Sequence, residues 1–99
     1  MKTIVILTRQ PDADAADLAR LSKPELLAVW KGMAEGTVRA AHGLLEGAGA
    51  VLELETRTIE EAKYYVASLP YVEEDLLLVQ YCPLKPFPGF DALAAAAPA

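Results

Sequence analysis

The stretch TIVILTR, residues 3–9, places aliphatic side chains on both faces of a predicted strand. The stretch DLLLVQYC, residues 75–82, repeats this pattern late in the chain. A sheet with helices on one face and water on the other should alternate apolar and polar residues. Two apolar faces therefore predict that helices cover one face and that another copy of the chain covers the other.

A first helix is predicted to follow the first strand, because apolar residues recur there at helical spacing. These residues are Leu18, Leu21, Leu26, Val29, Trp30 and Met33. Ser22–Glu25 has the form of a capping box with Pro24 in its first turn, so we expect a break near Ser22 or two short helices. Gly36 is suited to end this helix.

A hairpin and a second helix complete the pattern. Residues 37–45 and 50–56 are predicted strands around a turn at Gly47–Gly49. Thr58–Glu61 is a second capping box, and Pro70 follows the helix that it opens. The order strand, helix, strand, strand, helix, strand predicts an α+β fold of ferredoxin-like βαββαβ topology. Its four-stranded antiparallel sheet should carry both helices on one face.

The C-terminal part is predicted to lie outside the sheet. We expect one domain over residues 1–90, in which residues 83–90 form an extended, proline-rich arm. Its apolar side chains, Leu84, Phe87 and Phe90, are expected to dock, with a partner subunit as one acceptor. Residues 91–99 are expected to be a disordered tail.

Composition excludes several classes of partner. Nine basic and 14 acidic residues give a net charge of −5, which argues against nucleic acid and anionic membranes as partners. The apolar runs are too short for a membrane span, and the N-terminal run lacks the features of a signal peptide. One cysteine, Cys82, excludes an internal disulfide. We therefore expect a cytoplasmic protein.

Three short motifs resemble a known family. They are Glu35–Arg39 after the first helix, Thr58–Ala62 at the start of the second, and Leu69–Tyr71 at its end. In order and spacing they resemble the muconolactone isomerase-like group, with the YCII-related proteins as neighbours, over about Met1 to Phe90. That group belongs to the dimeric α/β-barrel superfamily, in which two ferredoxin-like sheets close face to face. The resemblance implies a homodimer or larger assembly, and proton transfer on an unsaturated lactone without a cofactor.

The resemblance also implies a site residue. Glu25 matches a carboxylate of the family near the start of the first helix, which implies a role in proton transfer. Ala40 and Gly47 stand where the family usually has histidines. From its position alone, Glu25 is equally explained as the partner of Ser22 in the capping box.

Two further residues are candidates for chemistry. His42 is the only histidine, and imidazole exchanges protons near neutral pH, so it is a candidate acid or base. It is predicted to share a strand face with Val38 and Ala40, and a structural strand histidine is the alternative. Arg39 could bind a substrate carboxylate, although an ion pair with Glu53 or Glu55 across the hairpin is the favoured interpretation.

Aromatic residues supply the candidate walls of a substrate pocket. Trp30, Tyr65 and Tyr81 are predicted to contact substrate, with a role in the core as the alternative. One histidine without a carboxylate cluster predicts no metal site, and no nucleotide or phosphate motif is present. We therefore expect neither a metal nor a cofactor.

The leading functional hypothesis is a cofactor-independent enzyme, isomerase- or lyase-like, acting on a small apolar, aromatic or lactone-type metabolite. Its pocket is expected between the sheet and the helices. A non-catalytic ligand-binding or assembly module of the same fold is the alternative. A haem-handling or monooxygenase relative, with His42 as a haem ligand, is a third. Two of His42, Glu25 and Arg39 lining one enclosed pocket would favour the enzyme.

Overall fold

The computed structural model describes residues 1–96, which form four strands and four helices. The elements are β1 (Lys2–Arg9), α1 (Ala15–Glu35), β2 (Val38–Gly43), β3 (Gly49–Glu55), α2 (Ile59–Ala67), α3 (Pro70–Glu73), β4 (Leu77–Pro83) and α4 (Phe90–Ala96). The predicted order of strands and helices is confirmed, and the structure adds the short helices α3 and α4. None of the helices in this described part is long and apolar enough to cross a membrane.

The sheet is antiparallel, with the strand order β2-β3-β1-β4. The two strands nearest the chain's ends, β1 and β4, pair side by side, and β3 lies on the other side of β1. This is the order of a ferredoxin-like sheet, and it confirms the predicted fold class. It places β2 and β4 at opposite edges of the sheet.

The core lies between the sheet and the helices. Val5 and Leu7 of β1 lie beside Leu52 of β3 on one face of the sheet. Ala62 and Val66 of α2 pack in the same core cluster. The fully buried part of this core consists of Val5, Val38, Leu52, Leu54, Ala62, Val66 and Leu69. Helices therefore cover one face of the sheet, as the strand pattern predicted.

The opposite face of the sheet carries no helix. Ile4 and Ile6 alternate with the buried residues of β1, and they are only partly covered. Leu78 of β4 lies on the same face and is 49% exposed. In the single chain these aliphatic side chains therefore form an apolar strip among polar neighbours such as Glu53 and Gln80.

α1 is one continuous helix, so the predicted break near Ser22 is wrong. Asp14 caps it, accepting a 2.8 Å bond from the backbone N–H of Ala16. Pro24 lies inside the helix at an exposed position, where it removes one backbone hydrogen bond. The packing of α1 against the sheet and α3 outweighs this loss. The helix ends as predicted at Gly36, which has φ 85°.

The predicted apolar stripe of α1 faces the core only in part, through residues such as Val29. Leu26 is 71% exposed, Trp30 is 68% exposed and Met33 is 41% exposed. The inner side of α1 instead passes through Ala28, Val29 and Gly32. A Cβ at Gly32 would overlap the Tyr65 hydroxyl and would lie 2.8 Å from Val38. Small residues, which hydropathy patterns score weakly, therefore bring α1 onto the sheet.

The start of α2 confirms the second capping box. The Thr58 hydroxyl accepts a 3.2 Å bond from the backbone N–H of Glu61, and the Glu61 carboxylate accepts one from the backbone N–H of Arg57. Pro70, expected only to end this helix, is also the first residue of α3. The chain therefore turns at Leu69 and continues directly into a second short helix.

A β-bulge between Val38 and Ala40 changes which residues of β2 share a face. Val38 pairs with Leu54 and is buried, whereas His42 pairs with Val51, a residue of the helix-free face. The prediction that His42 shares a face with Val38 is therefore wrong. The extra residue in the bulge reverses the alternation after Val38.

The C-terminal end of β4 also differs from the prediction. Pro83 is the last residue of β4, and the next residue, Leu84, still donates a backbone hydrogen bond to Lys2. Residues 91–96, expected to be disordered, belong to helix α4 (Phe90–Ala96), in agreement with the high helix propensity of alanine. Residues 97–99 of the expected tail lie outside the described residues.

Candidate functional site

A cleft of about 560 Å³ opens between the sheet, α1 and α3. Leu7, Leu52 and Leu77 of the sheet, and Leu18 and Val29 of α1, form apolar walls around it. This volume lies in the range of about 300–1,000 Å³ that is usual for small-molecule sites. The cleft occupies the space between sheet and helices in which the sequence placed a pocket.

Small residues at the end of the β2–β3 hairpin leave this space open. They are Ala41, Gly43, Ala48, Gly49 and Ala50, and all of them line the cleft. A Cβ at Gly49 would overlap the backbone oxygen of Leu7, so the hairpin approaches β1 closely there. The cleft therefore results from absent side-chain volume at one end of the sheet.

Glu25 is the carboxylate of the cleft. It lies on the inner side of α1, partly buried, and accepts a 2.9 Å hydrogen bond from the backbone N–H of Tyr71. Burial raises the pKa of the Glu25 carboxyl above its usual value, and the bond from Tyr71 opposes part of that rise. Glu25 does not act as a capping-box partner of Ser22, because α1 begins two turns earlier.

Tyr71 joins α3 to α1 on two sides of the cleft. Its backbone N–H, in the first turn of α3, donates to Glu25, and its hydroxyl donates a 2.8 Å bond to the backbone oxygen of Leu18. The first N–H groups of a helix have no partner within that helix, so an acceptor from α1 stabilises them. These two bonds fix α3 as a wall and hold the Glu25 carboxylate in place.

His42 lines the rim of the same cleft. It is exposed, and its pairing with Val51 places the side chain on the helix-free face of the sheet. His42 therefore only borders the cleft, whereas the Glu25 side chain lies on its inner wall.

Arg39 lies outside the cleft. Its Nε donates a 2.6 Å bond to the backbone oxygen of Gly36, next to the bulge. The expected ion pair with Glu53 or Glu55 is not formed, since Lys2 pairs with Glu53 and the N-terminal amine pairs with Glu55. Arg39 is therefore held by the chain segment that leads from α1 into β2.

Arg9, which the sequence analysis did not single out, lines the cleft instead. It follows the buried residues of β1 on the helix-covered face, and its guanidinium donates a 3.0 Å bond to the backbone oxygen of Ala13. Among residues 1–96, the ion pairs involve other cations, so no carboxylate neutralises Arg9. Its position at the end of TIVILTR, on the face of Val5 and Leu7, is the signal that could have identified it.

The three aromatic candidates lie apart from the cleft. Trp30 lines a second apolar groove of about 340 Å³, which adjoins the cleft along the outer side of α1. The Tyr65 hydroxyl donates a 3.0 Å bond to the backbone oxygen of Ala28, and burial, followed by the negative charges of Glu25 and Glu35, raises its pKa to about 12. Tyr81 faces α2, where Lys63 lies 5.6 Å from its ring centre, and burial raises its pKa. Tyr65 and Tyr81 both pack against the core.

Groups of three or more potential metal-binding side chains do not occur within the described residues. Cys82 is a free thiol, and its pairing with Ile4 puts it on the helix-free face, away from the cleft. The side chains at the cleft that can exchange protons or bind anions are therefore those of Glu25, Arg9 and Tyr71.

The comparisons with known proteins find similarity in structure. No family model matches the chain, and no curated protein matches it by sequence. The solved structure of 5-chloro-2-hydroxyhydroquinone dehydrochlorinase (TftG) from Burkholderia phenoliruptrix AC1100, in complex with 2,5-dihydroxybenzoquinone, superimposes with a TM-score of 0.72. The match covers 86% of this chain and 94% of that one at 14% identity.

The chain therefore shares with TftG the fold of a four-stranded antiparallel sheet of ferredoxin-like order. At 14% identity the similarity extends to the fold and not to the reaction, because one fold supports many different reactions.

Proposed function

We propose that this protein is a cofactor-independent enzyme, isomerase- or lyase-like, that acts on a small aromatic or lactone-type metabolite. The observation that carries the proposal is Glu25, a partly buried carboxylate with a raised pKa on the wall of an apolar cleft. Perturbed ionisable groups in clefts of this size are frequent at active sites. Because burial moves the pKa toward neutrality, Glu25 becomes a stronger base than an exposed carboxylate.

The chemistry that suits one buried carboxylate is proton transfer at carbon. Glu25 would remove a proton from a carbon next to a carbonyl group, and the electron pair of the broken C–H bond would move into the conjugated system. Return of the proton to another carbon gives an isomerisation, and departure of a leaving group with its bonding pair gives an elimination. Both reactions balance without an oxidant or reductant.

Arg9 would bind the negative charge of such a substrate. Its guanidinium is a planar donor of the kind that binds carboxylates and phenolates, and it lines the same cleft as Glu25. This role replaces the one that the sequence suggested for Arg39. His42, at the rim, would remain a second candidate for proton exchange with solvent.

Two observations agree with this proposal. The sequence resembles the muconolactone isomerase-like group, in which Glu25 matches a carboxylate. TftG, which shares the fold, is described as a dehydrochlorinase of a hydroquinone and was solved with a quinone in place. Both are reactions of small cyclic, oxygenated compounds, and the apolar walls of the cleft suit substrates of that class.

We further propose that the protein works as a homodimer joined through the helix-free face of the sheet. Leu78, 49% exposed, and the partly covered Ile4 and Ile6 would be buried there. Leu78→Asp should produce a monomer in sedimentation velocity experiments. Leu45→Asp, at a loop position that is 99% exposed, should not. A folded wild-type monomer at micromolar concentration would contradict the proposal.

The second candidate is a ligand-binding module without catalysis. It is favoured by the bond from Tyr71 to Glu25, which gives the carboxylate a structural role, and by the position of His42 on the other face of the sheet. In that case the cleft and Arg9 would bind a small anion, and no covalent bond would change.

One experiment separates the two candidates. Small lactones, phenols and hydroquinones are screened by ligand-induced thermal stabilisation, and the binders are incubated in D₂O while NMR follows deuterium uptake at carbon. Catalysis predicts enzyme-dependent uptake that falls by about 100-fold or more in Glu25→Gln. Glu60→Gln, which changes an exposed carboxylate on α2, is the control and should retain the wild-type rate. Stabilisation without any uptake or turnover would support the binding module.

A further inference from the structure

The outer side of α1 carries an apolar surface that its own chain leaves uncovered. We call it the outer stripe, and it consists of Leu26, Leu27, Trp30 and Met33, which are 71%, 56%, 68% and 41% exposed. A 340 Å³ groove runs along these residues and is almost entirely apolar. Contiguous exposed apolar surface of this kind usually marks an interaction site.

This groove is continuous with the candidate active-site cleft. Leu26, Val29 and Ala41 line both cavities, so the groove forms the open side of the cleft between α1 and the edge strand β2. Whatever occupies the groove would therefore add a wall to the cleft.

The C-terminal arm, defined from here on as residues 84–96 and including α4, carries an apolar surface of matching kind. Its side chains Leu84, Phe87, Phe90 and Leu93 recur at every third position and are 46–67% exposed. The rings of Phe87 and Phe90 contact each other with their centres 4.9 Å apart and their planes tilted by 40°. α4 has seven residues, fewer than an isolated helix needs to be stable in water, so packing against another surface would stabilise it.

The arm leads away from the outer stripe of its own chain. It leaves the sheet from β4, at the edge opposite to β2, where the groove lies. The molecule measures 61 × 27 × 22 Å, and its radius of gyration of 16.5 Å exceeds the value of about 13 Å for a compact chain of this length. The long dimension reflects an arm that extends beyond the domain.

We propose that the arm of one copy docks in the groove along the outer stripe of a second copy and closes the open side of its cleft. The apolar side chains of the two surfaces would bury one another. The cleft of each copy would then be complete only when a neighbour supplies its arm.

Cross-linking with engineered cysteines tests this in the full chain, with Cys82→Ser as the background. Ala34→Cys adds a thiol one turn after Trp30, and Ala94→Cys adds one a turn after Phe90, so the apolar anchors remain in place. The two variants are mixed and treated with a short bis-maleimide. Ala67→Cys, exposed on α2, replaces Ala34→Cys in the control mixture.

The proposal predicts a covalent heterodimer of the Ala34→Cys and Ala94→Cys chains, absent from the control mixture. A chain carrying both cysteines that cross-links only to itself would overturn the proposal, because the arm would then dock in its own chain. Absence of any cross-link would also overturn it. The readout does not involve catalysis, so its outcome is independent of the proposed reaction.

A second measurement examines the anchor residue itself. Trp30→Ser changes a side chain that is 68% exposed in the single chain, so the fold should be retained. The proposal predicts arm-dependent association weakened by about tenfold or more, because buried tryptophans are frequent hot spots of interfaces. Tyr64→Ser, on α2 and 81% exposed, is the control. Equal association of both variants and the wild type would contradict the docking.

Discussion

The helices α1 and α2 lie on the same face of the sheet, but only α2 has the start, the buried side and the end that its sequence predicts. In α2 the cap, the apolar spacing and the terminating proline agree, and Ala62 and Val66 are fully buried. In α1 the capping box at Ser22 is not used, Pro24 lies inside the helix, and the largest apolar residues face outward. When a helix has one apolar side, the hydrophobic pattern predicts which side faces the core. When it has two, only the packing in the structure shows which one does.

The largest contrast between these helices should appear in side-chain truncations. Leu69→Ala, at the fully buried end of the α2 segment, should lower the free energy of unfolding by about 2–5 kcal/mol, because it leaves a cavity in the core. Leu26→Ala on the outer stripe should change it by less than about 0.5 kcal/mol. Urea denaturation at a concentration where copies do not associate measures both. Similar losses would show that the outer stripe is packed in the single chain.

The next effect concerns the close approach of α1 to the sheet. Gly32→Ala should destabilise the fold by about 1–3 kcal/mol, since its Cβ would overlap Tyr65 and press on Val38. Gly43→Ala is the control, because a Cβ there meets nothing within 4 Å. Thermal unfolding of both variants tests this prediction. A neutral Gly32→Ala would mean that α1 can move outward at no cost.

The fold could be predicted from the sequence, because its signals lie in strands and turns of regular geometry. TIVILTR, the hairpin glycines and the Thr58 capping box all kept their predicted places. The inner side of α1 could not be predicted, because Gly32 and Ala28 contribute little hydrophobicity. The bulge after Val38 could not be predicted either, since one extra residue in a strand hardly changes the alternation of apolar and polar residues.

The candidate site was predicted in part. Glu25 was found by resemblance and lies on the wall of the cleft, whereas His42, chosen for its chemistry, borders the cleft with its side chain on the other face of the sheet. Arg9 was missed because arginine at a strand end is usual at protein surfaces, and only the fold shows that this end borders a cleft. The partner of Glu25, the backbone N–H of Tyr71, lies 46 residues away and has no side-chain signature.

A smaller effect separates the two capping boxes. Thr58→Ala should lower the free energy of unfolding by about 1 kcal/mol, because the N–H of Glu61 loses its acceptor. Ser22→Ala should have an effect of less than about 0.5 kcal/mol, since Ser22 lies within α1 and caps nothing. Guanidinium denaturation resolves the difference. Equal losses would show that a helix begins near Ser22 after all.

The smallest effect is the pH dependence that Glu25 gives to stability. Burial raises its pKa in the folded state, so between the unfolded value near 4.5 and the folded value the folded chain binds more protons than the unfolded one. Stability due to Glu25 therefore falls as pH rises through this window and stays low above it. Glu25→Gln carries no charge but keeps an oxygen that can accept the bond from Tyr71.

The stability of Glu25→Gln relative to the wild type should therefore increase as pH rises from 4 to 8, whereas Glu60→Gln should show no such trend. Urea denaturation at closely spaced pH values measures both differences. A trend of opposite sign would mean that the bond from Tyr71 outweighs burial, and that the pKa of Glu25 is lowered. A carboxylate of that kind would be a clamp between α1 and α3 rather than a base, because the interaction that holds its charge would also weaken its affinity for a proton.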